Sequence, residues 1–190
     1  GKHPIKKRFL RETGMRLSKI LLILLGFIFL TALYCKGEEA MAFTISSPDI
    51  SEGKTVPKEF TCDGLNISPE LVWKDAPAGA KSLVLIVEDP DAPSGTFTHW
   101  VVYDIPATAV MFAKNALPSG VKQGLTDFGN ARYGGPCPPK GHGEHRYYFM
   151  LKALDVPSLG IRDNAKRAEV EKAMKGHALA EARFMGKYNR

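Results

Sequence analysis

SLVLIVE, residues 82–88, sets five aliphatic side chains in a row between Ser82 and Glu88. A strand turns successive side chains to opposite faces, so an apolar run without alternation needs cover on both sides. Its length and its β-branched residues predict a doubly covered strand. THWVVYDI (98–105) and RYYFMLKAL (146–154) read the same way. DPDAPSG follows the first run, Pro106 closes the second and GGPCPPKGHG precedes the third, so Pro and Gly bound all three. FTISSP (43–48) is a shorter alternating strand, and TCDGLNISPELVW (61–73) carries turns at Asp63-Gly64 and Ser68-Pro69 before its apolar end. No 3.6-residue repeat fits the middle of the chain. Short strands so punctuated predict an antiparallel sandwich or barrel.

The C-terminus changes character. Asp163-Asn164 can cap a helix from Ala165 to about Lys175, with Gly176 just past its end. The spacing and residue types predict a second helical stretch over His177–Met185.

The chain has 190 residues, 44 % apolar and 24 % charged, with 18 Gly, 13 Pro and three Cys. These values exclude collagen-like, coiled-coil, wholly disordered and disulfide-dense classes. The net charge is +6, but residues 1–42 contribute +5 of it, leaving residues 43–190 at +1. A nearly neutral body lacks the electrostatic footprint of a nucleic-acid binder.

ILLILLGFIFLTALYC (20–35) is an uncharged run of 16 residues, preceded by Arg16 and Lys19 and followed by Ala40-Met41-Ala42. A spanning helix needs about 20 residues. A basic segment, a short apolar segment and a small-x-small site form a secretory signal peptide. The expectation is a leader over 1–42 with its true start at Met15 and cleavage after Ala42. Residues 43–190 then form one exported domain, periplasmic or secreted. The alternatives are an uncleaved anchor through 20–35 and lipidation at Cys35, for which Tyr34 is a poor neighbour. The 148-residue body can bury about 70 % of its unfolded surface, enough to fold without a metal or a disulfide.

Polar and titratable residues gather at the ends of the apolar runs. Asp89 and Asp91 follow the first, His99 opens the second, and His145 and Tyr147 begin the third. The stiff loop Gly134–Pro139 enters the same region, and rigid loops at strand ends commonly wall pockets.

DPDAP, then His99-Trp100, then GGPCPPKGHGEHRYYF resemble the two signature blocks of the phosphatidylethanolamine-binding protein family. The wording is similar to its bacterial Raf-kinase-inhibitor-like branch, and the likeness runs from about Phe43 to Tyr188. The resemblance implies a mainly β, two-sheet antiparallel sandwich of Greek-key type with C-terminal helices. It also implies a small pocket for phosphate or a phosphorylated headgroup, formed by Asp89, His99, Pro138, Pro139, His145 and Tyr147, with Cys137 and Tyr133 beside them. Asp91 is a further candidate, set against a plain role in the turn.

Several readings stay open at this level. Asp89 can fix a histidine tautomer, or accept a proton from a monoprotonated phosphate or an ammonium group. Cys62 and Cys137 form a disulfide or remain separate thiols, and sequence alone does not give their separation. His142-Gly143-Glu144-His145 has metal-ligand residue types, but a Gly-rich segment offers no rigid face, so no metal and no other cofactor is expected. The leading expectation is a non-enzymatic protein that binds a small anionic or phosphorylated ligand. A protein-interaction regulator, kinase- or protease-inhibitor-like, whose pocket recognises a phosphorylated side chain or is vestigial, is the alternative, and a weak hydrolase using Cys137 is the third. No catalytic residue is assigned. A protein partner and a homodimer are further expectations, with no interface residue singled out.

Overall fold

The computed structural model describes residues 41–190. Residues 1–40 of the expected leader, with the run at 20–35, lie outside the described residues. Eight strands form two antiparallel sheets. One has three strands in the order β1 (Thr44–Ser46), β2 (Leu71–Lys74) and β5 (Met111–Phe112). The other has five: β6 (Lys122–Gln123), β4 (Phe97–Pro106), β3 (Ser82–Asp89), β7 (His145–Leu154) and β8 (Ala178–Tyr188).

The central strand β3 behaves as its residues require. Leu83, Leu85 and Val87 enter the core between the two sheets, where they meet Trp73, Phe112, Trp100 and Phe149. Val84 and Ile86 face the other way, into a second cluster with Val101, Tyr103, Ala165, Val170 and Met174. Both clusters exclude water, so both halves of the run gain from burial. β4 and β7 flank β3 on either side and pair with it antiparallel along most of its length.

A single helix, α1 (Arg167–Met174), covers the second cluster with Val170 and Met174. It starts later than Asp163-Asn164 would place it. The Lys166 backbone N–H donates to the Glu169 carboxylate (2.8 Å), so Glu169 reaches back to close the first turn. Gly176, at φ +85°, ends the helical segment in the left-handed region.

The expected second helix over His177–Met185 is a strand, so the chain has one C-terminal helix among the described residues, not several. Ala, Leu, Glu, Arg and Met favour helices when taken singly. The burial pattern decides otherwise. Ala182, Phe184 and Tyr188 are buried at strand spacing, and the segment pairs with β7 from Leu154↔Ala178 to His145↔Tyr188. An edge on β7 outweighs local propensity. Phe184 stacks on Phe149 with ring centroids 4.7 Å apart.

Cys62 and Cys137 are joined by a disulfide, their Cα atoms 5.4 Å apart across 75 residues of chain. It ties the loop after the 3-10 turn Lys58–Phe60 to the Pro-rich strip before β7. Replacing both cysteines by serine should lower stability by about 2–4 kcal/mol. Urea unfolding with an unshifted midpoint in that variant would contradict the assignment.

Candidate functional site

The turn after β3 and the starts of β4 and β7 come together around one buried carboxylate. Asp89 is 3 % exposed, and both of its oxygens are engaged. Oδ1 accepts the Asp91 backbone N–H (2.8 Å), and Oδ2 accepts the Nδ1–H of His145 (2.7 Å). Of the roles open for Asp89, the geometry realises the first: it fixes the tautomer of a histidine. With Nδ1 committed, His145 turns Nε2 away from the carboxylate, and Nε2 meets Nδ1 of His142 at 2.8 Å.

His99 is pinned independently. Its Nδ1–H donates to the Gly134 carbonyl (2.7 Å). Its ring lies among Phe97, Phe128 and Tyr147, with centroids 5.1, 5.3 and 5.2 Å away. Burial lowers its pKa below 6.5, against the opposing pull of the Gly134 carbonyl and the Asp89 charge. At neutral pH His99 is therefore uncharged, with Nε2 as an acceptor. On protonation the same atom becomes a donor.

Asp89, His99, His145, Cys137, Pro138 and Pro139 line one cavity of about 220 Å³. Ala92, Pro93, Ser94, Phe97 and Phe128 complete its walls. Polar groups thus sit on a small patch of an otherwise apolar hollow, the common form of a small-molecule site. The strip that carries its far wall runs close to its neighbours. A Cβ on Gly134 would stand 2.4 Å from the Phe128 ring, and one on Gly135 1.9 Å from the Phe60 carbonyl oxygen.

The other candidates lie elsewhere. Tyr147 is fully buried beneath the His99 ring and is not part of the lining. Its hydroxyl has no hydrogen-bond partner, and burial followed by the nearby Asp89 charge keeps it protonated. Asp91 is outside the cavity. Its carboxylate takes the Arg146 guanidinium in a two-pronged pair (2.8 and 2.7 Å) and also the Arg146 backbone N–H. Those contacts lower its pKa to about 2. Tyr133 lines a different hollow and donates its hydroxyl to the Phe60 carbonyl (2.8 Å). Cys137 is disulfide-bonded and has no thiol to act as a nucleophile. Among the described residues no three His, Cys, Asp or Glu are grouped to hold a metal ion.

Sequence reasoning did not single out Phe97, Phe128 or the capping role of His142. Phe97 was within reach, since it stands two positions before His99 on one strand and so shares its face. Phe128 comes from a loop with no periodic signal.

Comparison with known proteins agrees with the two-sheet fold. The family model described as phosphatidylethanolamine-binding protein matches residues 46–189. A UPF0098 protein of Aquifex aeolicus is 53 % identical over 150 residues, covering 77 % of this chain and 88 % of that protein. Among solved structures, a putative phosphatidylethanolamine-binding protein homolog, CT736 from Chlamydia trachomatis, is 40 % identical with a TM-score of 0.73. It covers 78 % of this chain and 98 % of that one. E. coli YbcL, described as a new member of the mammalian PEBP family, is 35 % identical with a TM-score of 0.74 at the same coverage.

The His99 environment sets a pH dependence. The unfolded chain protonates this histidine near 6.5, the folded chain only at lower pH. As pH falls through 6.5 the unfolded state takes up the proton first, so stability drops until the folded pKa is passed. The slope is at most about 1.4 kcal/mol per pH unit. Urea unfolding between pH 7.5 and 5 should show this loss, and His99→Gln should flatten it. An equally steep loss in that variant would remove His99 as its cause.

Proposed function

The chain belongs to the phosphatidylethanolamine-binding protein family, and on that premise we propose that it is a non-enzymatic binding protein whose Asp89–His99–His145 cavity holds a phosphate or a phosphorylated headgroup. The observation that carries this is two imidazoles, each fixed through Nδ1, lining one small hollow. Fixing Nδ1 leaves Nε2 as the reactive face of each ring. An anion near Nε2 favours the imidazolium form, and each ring then donates an N–H to it. Both Asp89 oxygens are already engaged, one by the Asp91 backbone N–H and one by the His145 Nδ1–H. His142 is exposed and holds the bond to His145 that an incoming oxygen would take. The walls of Phe97, Phe128, Ala92 and Pro93 suit a methylene chain attached to the phosphate.

Calorimetric titration with phosphoethanolamine, inorganic phosphate and ethanolamine tests the reading. Binding should appear with the two phosphorylated ligands, take up protons at pH 7 and tighten as pH falls toward 6. His145→Ala and His99→Ala should each weaken it about tenfold or more. No heat from either phosphorylated ligand, or binding of ethanolamine alone, would overturn it. Phe128 is large, apolar and 43 % exposed at the rim, which favours a second reading in which the phosphate is carried on a protein side chain. A phosphoserine peptide that binds far more tightly than phosphoethanolamine would select that reading.

The same proposal puts the protein outside the reducing cytosol, supported by the apolar run at 20–35 and by the disulfide. N-terminal sequencing of the exported protein should begin at Phe43. A mature protein that retains residues 20–35 would replace secretion by membrane anchoring.

A further inference from the structure

A second, larger cavity of about 540 Å³ is lined by Arg132 and Tyr133, the residues just before Gly134 and Gly135. Neighbouring residues of β4 lead to the two hollows: His99 lines the smaller one and Trp100 the larger. The walls of the larger one come from two loops tied together by the Asn115 N–H bond to the Ser68 carbonyl (3.0 Å). Its floor is Trp100 and Tyr133, packed edge to face at 5.3 Å.

Of the polar groups that line it, Ser68 and Asn115 can donate or accept, and two amides have a fixed sense. The Oε1 of Gln123 accepts the Trp100 indole N–H (2.9 Å), and the Oδ1 of Asn66 accepts the Gly135 backbone N–H (2.7 Å). Those partners can only donate, so they fix which end of each amide is oxygen. Both amide oxygens are thereby used inside the protein, and the –NH₂ ends remain for a ligand. Arg132 adds a guanidinium that is exposed and, among the described residues, makes no ion pair. No Asp or Glu lines this cavity. Fixed amide donors, one free cation and an aromatic floor describe a receptor for an anionic, acceptor-rich molecule. Of the anions, a planar carboxylate suits the two-pronged face of an arginine.

We propose that this cavity is a second ligand site, independent of the Asp89–His145 cavity, which takes a carboxylate carried on an acceptor-rich small molecule through Arg132, Gln123 and Asn66. A peptide C-terminus and a sugar acid share that chemistry, and the cavity volume suits either.

The test follows the Trp100 indole N–H by NMR in the full-length protein. N-acetylglycylglycine and glucuronate are titrated in turn, each beside its neutral counterpart, the dipeptide amide or glucose. At least one carboxylate should shift the signal saturably in the millimolar range, and which one does so identifies the source. The neutral counterparts should not. Arg132→Ala, a change on the surface, should weaken binding about tenfold or more. Gln123→Glu should do the same while keeping the acceptor for Trp100, so a folded variant is expected. Saturating phosphoethanolamine should leave binding unchanged, which separates this site from the smaller one, and displacement by it would show that the two are one site. No saturable shift with either acid, equal binding of a neutral counterpart, or unchanged affinity in Arg132→Ala would overturn the proposal.

Discussion

A carboxylate buried at the end of a central strand must be satisfied or it destabilises the fold by several kcal/mol. Asp89 meets that demand with two hydrogen bonds, one from the backbone of its own turn and one from His145 at the start of β7. The first holds the Asp-Pro-Asp turn in shape. The second locks the register at the top of β7 and orients a ring toward the cavity. Asp91, two residues on, takes the Arg146 backbone and guanidinium and so ties the same two segments a second time, at the surface. The turn after β3 and the beginning of β7 are thus one unit, and the cavity is formed by that unit.

The rest of the architecture keeps this unit rigid. β3 is apolar on both faces because one cluster lies between the sheets and another lies beneath α1. Such a strand cannot slip by one residue without exchanging its two faces. Asp89 therefore emerges at a fixed height, beside Phe97 of β4 in the ladder. The strip at 132–137 is held from two sides, by His99 to Gly134 and by Asn66 to Gly135, with the disulfide at its end. Its two ends line two hollows of different character: Cys137 the apolar one with two imidazoles, Arg132 and Tyr133 the one with amide groups.

How far the sequence disclosed this depended on the kind of signal. Ser82–Glu88, Thr98–Ile105 and Arg146–Leu154 were legible because their burial leaves no alternative to a sheet, and the strands extend them by only a residue or two. Residues 178–188 were not, because their composition favours helix and only the ladder to β7 reveals a strand. In the cavity, Asp89, His99, Cys137, Pro138, Pro139 and His145 meet as their positions at strand ends and in a stiff loop suggested. Tyr147 sits one layer deeper, and Asp91 is drawn off by Arg146, a pairing set by how two segments approach in space. The amide orientations of Gln123 and Asn66 depend on partners 23 and 69 residues away, so no local pattern could announce them.

On the proposed function, Asp89 presets His145 for a ligand. A long-range ¹H–¹⁵N correlation spectrum of the imidazoles at neutral pH tests it most directly. His145 should carry its proton on Nδ1, with a strongly deshielded resonance that Asp89→Asn displaces, and its Nε2 signal should move when phosphoethanolamine is added. A His145 ring that averages between tautomers as a solvent-exposed histidine does, indifferent both to Asp89→Asn and to the ligand, would contradict it.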